Sequence, residues 1–131
     1  MDLINDLTEL TITEAFADLE NETAATIDCA KQIGDMLEAV QQQDAYRLLP
    51  DLLDRIRLLY DVTSQDLGWV EPADATIRRA QMPDVLERAL SLLISAQESH
   101  SWLLLADVIK YEVQPILVAW QTLIRTTREL R

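Results

Sequence analysis

The residues able to do chemistry are few. His100 is the one histidine and Cys29 the one cysteine in 131 residues. A protein-only zinc site takes three or four ligands. A di-iron bundle takes Glu-x-x-His on two helices with further inward carboxylates. Glu98-Ser99-His100 has the wrong spacing for that, so no metal and no redox cofactor is expected. Glycine-rich phosphate loops, His-Glu-x-x-His and nucleophile elbows do not occur. His100 reads as a cap or an exposed corner residue. Cys29, set among Ile27, Ala30 and Ile33, reads as a small semi-buried residue with no disulfide partner in the chain. No catalytic residue is assigned, and the protein is read as a non-enzyme.

The strongest polar candidates are Asp107, Tyr111 and Glu112. Asp107 and Tyr111 are four residues apart, on one side of a helix. Together with Asp51 they are expected to anchor a polar network with Arg55 or Arg57 that fixes helix register. A lone buried charge would cost several kcal/mol, so a partner is expected for any of them inside. Three tryptophans are the other candidates. Trp120 has core spacing. Trp69, beside Leu67 and Val70, either plugs the end of the fold or stands as an exposed anchor. Trp102 sits at a corner.

Twenty-three acidic residues against 11 basic ones give a net charge of −12. Residues 1–44 alone hold 11 acids and one base, Lys31. Phosphate backbones are bound by clustered Lys and Arg. Here there are two lysines, and Arg125, Arg128 and Arg131 are interrupted by Glu129, so nucleic acid is not an expected partner. No apolar run reaches the ~18 residues of a membrane span. The opening Met1-Asp2-Leu3-Ile4-Asn5-Asp6 lacks the basic start of a signal peptide, so no membrane is expected and the cytoplasm is the expected compartment.

The elements that must position these residues are helices. Two glycines are too few for the turns of an all-β chain of this length. Thr11-Ile12-Thr13-Glu14 reads as a capping box opening a helix over 13–42, with Phe16, Leu19, Thr23, Ile27, Ala30, Ile33, Leu37 and Val40 on one face. Residues 1–12 are either a short helix or an arm. A second helix is expected over 45–64, bent at Pro50 or delayed to Leu49. Residues 63–72 form a linker. Pro72 then opens a third segment, split at Pro83 into a short helix over 73–81 and a main one over 83–98. The last helix spans 101–129 with a kink at Pro115. Leu37, Leu52, Ile56, Leu86, Leu93, Ile109, Val113, Ile116 and Trp120 are the expected core. The fold class is all-α, one domain, an antiparallel four-helix bundle.

A shift of 56 residues makes the two halves rhyme. Tyr46-Arg47-Leu48-Leu49-Pro50-Asp51-Leu52-Leu53 faces Trp102-Leu103-Leu104-Leu105-Ala106-Asp107-Val108-Ile109. Two helical hairpins related by a pseudo-two-fold axis would place Tyr46 and Trp102 at equivalent corners. The stretch from Trp102 to Leu117 also resembles a segment of small helical proteins of Gram-positive bacteria. Those read aromatic-x-Leu-Leu-Ala-Asp-Leu-Leu-x-Tyr-Glu-x-x-Pro. The likeness covers about residues 30–60 and 85–120. It implies a helical fold and brings no activity or catalytic residue with it.

Two functions are weighed. The first is a cytoplasmic protein-interaction module, adaptor or secretion-chaperone-like, whose groove receives a partner helix through Trp69, Trp102, Leu104 and Leu117. The second is a small-molecule-binding or enzymatic bundle with a pocket near Asp107 and Tyr111. The last helix is apolar over more than half its circumference, and such a helix is usually covered on most sides. A homodimer is therefore expected, or cover by a heterologous protein partner.

Overall fold

The computed structural model describes residues 3–39 and 41–130, with side chains from Glu14 onward. Four helical rods make up the bundle, and there is no strand among the described residues. The first rod, α1, runs from Leu3 to Glu38 and the second, α2, from Gln42 to Thr63. The third, α3, spans Met82–Glu98. The last is built from α4 (Trp102–Val108), a π-turn (Ile109–Val113) and α5 (Gln114–Glu129).

Four boundaries differ from the sequence reading. Helix α1 begins ten residues before the expected start, so Thr11 lies inside it and is not its cap. Apolar residues at 3, 4, 7 and 10 continue the same spacing with no Pro or Gly to stop it. The Thr11 side chain lies outside the described residues. Helix α2 starts at Gln42, well before Pro50, which stands exposed inside it. The linker is longer than 63–72: no helix forms over 73–78, and a single 3₁₀ turn, Arg79–Gln81, precedes α3. Pro72 opens a turn instead, with its carbonyl accepting from Ala75 N–H at 3.2 Å. Pro83 lies in the first turn of α3, where its missing N–H costs nothing.

At Pro115 the rod continues. Proline has no N–H to donate, and the ladder ahead of it widens into the π-turn. Pro115 then falls in the first turn of α5.

The strap from Ser64 to Arg78 is held by side chains. Val70 N–H donates to Thr127 Oγ1 at 2.8 Å, and the Thr127 hydroxyl, wholly buried, donates to the Leu123 carbonyl at 2.8 Å. Arg79 closes the C-terminus of α2, its Nε donating to the Thr63 carbonyl at 2.8 Å. Glu71 accepts from the Arg79 backbone N–H. Trp69 covers this end of the bundle. Its ring meets Phe16 edge-on at 5.3 Å, and its indole N–H donates to the Gln65 carbonyl.

At the opposite end α3 closes with a left-handed residue, His100 (φ 54°), where glycine is usual. His100 N–H donates to Gln97 and Ser101 N–H to Ala96. Ser101 then caps α4 by accepting from Leu104 N–H.

Every expected core residue is buried, from Leu86 at 6% exposure to Leu52, Ile109 and Trp120 at 0%. Much of the last rod is covered within the chain, since α1 packs along α4, the π-turn and α5, and α3 packs beside α4, but Leu103, Leu104 and Val118 stay exposed.

Candidate functional site

Going round the bundle, α2 meets α1, α1 meets the last rod, and the last rod meets α3. Each of these seams carries an ion pair. Arg55 of α2 reaches Glu22 of α1 at 3.1 Å. Arg125 of α5 reaches Glu20 of α1 at 3.2 Å, and Arg128 binds the same carboxylate. Arg88 of α3 stands 3.9 Å from Glu112. The fourth seam, between α2 and α3, has no such pair among the described residues and stays open.

The opening is a groove of about 690 Å³. Its floor is Leu49 and Ile56 of α2 with Leu86 and Leu93 of α3, all buried. Leu53, Tyr60 and Leu90 are half-buried on its walls, and Ile94 is 55% exposed at its lip. Pro50, Asp54 and Arg57 form one rim, Pro83, Glu87 and Ser91 the other. Beyond Tyr60 and Pro83 a second cavity, about 590 Å³, continues to Trp69 and Arg79 in the strap.

The shift of 56 residues that relates the two halves of the sequence also relates these two seams. Where α3 carries Leu86 and Leu90, α1 carries Ala30 and Gly34, 56 residues earlier. Both are buried, and a methyl group added at Gly34 would meet nothing within 4 Å. Ile109, Val113 and Trp120 of the last rod, which packs along α1, are buried. On the open side Leu90 faces a helix that presents Leu53 and Tyr60. Bulk on both walls sets a wider helix separation.

The polar network expected of Asp51, Asp107, Tyr111 and Glu112 does not form as one set; only its Asp51–Arg55 link is present. Asp51 accepts from Arg55 Nε at 3.0 Å, whereas Glu112 pairs with Arg88 on another seam. Asp107 and Tyr111 are exposed, and Tyr111 lies under Lys110, whose Nζ is 5.6 Å from the ring centre. Neither residue lines the groove or the two smaller cavities.

The expected partner-binding residues are scattered. Leu117 is 0% exposed and belongs to the core, which corrects its reading as a surface anchor. Trp69 is the plug described above. Trp102 meets Tyr46 edge-on at 4.9 Å, so the two corner aromatics that the repeat pairs in sequence also touch. Leu104 remains exposed beside Leu103. The groove itself was missed, although Leu53, Leu90 and Ile94, apolar just off the core stripe, were its signal.

The Arg128 and Arg125 guanidinium groups, hydrogen-bonded to Glu20, hold its carboxyl below the usual range. Burial pushes the Cys29 thiol up, away from reactivity. The hydrogen bond that Arg55 donates to Asp51 raises the guanidinium further above its ordinary value. Among the described residues no group of three His, Cys, Asp or Glu is placed to hold a metal ion, and no helix is long and apolar enough to cross a membrane.

A family model described as a domain of unknown function (DUF8042) matches residues 14–123. The chain belongs to this family. The match contains every residue lining the groove, while Arg125 and Arg128 fall beyond it. No curated protein and no solved structure matches the chain.

Proposed function

We propose that this protein is a non-catalytic interaction module that receives a helix of a partner protein in the α2–α3 groove. One observation carries the reading: the seam of the bundle that lacks both close packing and an ion pair is lined by aliphatic side chains. Antiparallel helices standing apart around an apolar floor are the usual receptor for an amphipathic helix. The polar lining favours binding over catalysis. Asp54, Arg57, Glu87, Ser91 and Gln97 are spread along the rims and converge on no point.

Capture from an extract of the native host tests this. The wild-type chain and a Leu103→Ser control should hold a partner that a Leu90→Ser/Ile94→Ser variant loses. A partner set unchanged by the groove substitutions would contradict the proposal.

A further inference from the structure

We propose that the occupant of the α2–α3 groove is a basic amphipathic helix, apolar along one stripe and carrying Lys or Arg on its flanks. This rests on the reading of the groove as a helix site. From Leu49 to Tyr60 the groove runs about 17 Å, or three helical turns. Its rims are acidic. Asp54 and Glu87 line it; Asp61 lies two turns beyond Asp54 on the same face of α2, and Glu98 one turn beyond Ile94 on α3. All four are exposed, and none makes an ion pair among the described residues. Against them stand Arg57 on the groove rim, also without an ion pair, and Arg47 two turns before Asp54 on the same face of α2, already paired with Asp44 at 3.9 Å.

The closed seam shows what such a rim takes. There α5 lays an apolar stripe through Trp120 against α1 and places Arg125 and Arg128 on Glu20. An incoming helix with the same chemistry would give Asp54 and Glu87 the cations they lack. A second copy of this chain would bring a further charge of −12 to an acidic rim, which opposes association.

Three synthetic peptides of about five turns test this by fluorescence anisotropy. One has a Leu stripe with Lys flanks, one the same stripe with Glu flanks, and one Lys flanks with Ser in place of the stripe. The Lys-flanked Leu peptide should bind at least ~10-fold tighter than the Glu-flanked one. Its affinity should fall with salt. Asp54→Asn/Glu87→Gln should narrow the difference, and Leu90→Ser/Ile94→Ser should abolish binding while circular dichroism shows the fold retained. The Ser peptide should not bind.

Equal affinity for the Lys- and Glu-flanked Leu peptides overturns the charge inference and leaves the helix site standing. Binding that survives Leu90→Ser/Ile94→Ser marks adhesion to an acidic surface and overturns both. Absence of binding to any peptide by a sedimenting monomer overturns both as well. A wild-type dimer that Ile94→Ser dissociates assigns the groove to a second copy and overturns the proposal.

Discussion

Two seams of this bundle occupy related positions in the internal repeat, yet one is sealed and the other is open. Between α1 and the last rod, α1 carries the small residues Ala30 and Gly34, Ile109, Val113 and Trp120 are buried, and Glu20 clasps two arginines at the edge. Between α2 and α3, Leu53, Tyr60 and Leu90 stand on both walls, and the rim acids Asp54 and Glu87 make no ion pair among the described residues. The two seams thus differ both in the size of their wall residues and in whether their edge charges are paired.

The largest expected contrast is in truncation. Trp120→Ala at the closed seam should cost ~3–5 kcal/mol. Leu90→Ala on the half-exposed wall should cost under ~1 kcal/mol. Thermal or denaturant unfolding of the two variants measures this directly, and equal losses would break the comparison. Ala30→Leu comes next. It gives α1 the bulk that α3 has at Leu86 and should destabilise by ~1–3 kcal/mol through overpacking.

Gly34→Ala should act in the opposite direction. The site has space for the methyl group, and removing a mid-helix glycine should add ~0.5–1 kcal/mol. A lower melting temperature would show that the closed seam has no slack. The smallest effect belongs to the clasp. The carboxyl of Glu20 is held below its ordinary range in the folded state, so its contribution is present at neutral pH. That contribution is lost as pH falls through the lowered folded value. Both arginines are about half exposed, so Glu20→Gln should cost under ~1 kcal/mol at pH 7. The difference from wild type should vanish in acid, and a gap that persists there would assign the effect to packing.

The helical class and the core were legible because apolar residues such as Leu52, Leu93 and Ile109 recur at three and four. That spacing survives whatever the helices pack against. Helix ends were less legible. Pro50 suggested a bend or a delayed start and Pro72 the opening of a helix: α2 runs through the first, and the strap after the second is fixed instead by hydrogen bonds of Glu71, Arg79 and Thr127. The groove was illegible for a related reason. Leu53 and Leu90 look like ordinary flanking core until one knows that their two helices stand apart. The π-turn ahead of Pro115 was hidden too.

The most direct test of the open seam is methyl NMR of Leu and Ile side chains during titration with the Lys-flanked Leu peptide. The account predicts shifts at Leu49, Leu53, Leu90 and Ile94, with Ile27, Ile109 and Ile116 of the sealed seam unmoved. Shifts centred on Leu103 and Leu104, or spread through the sealed seam, would contradict it.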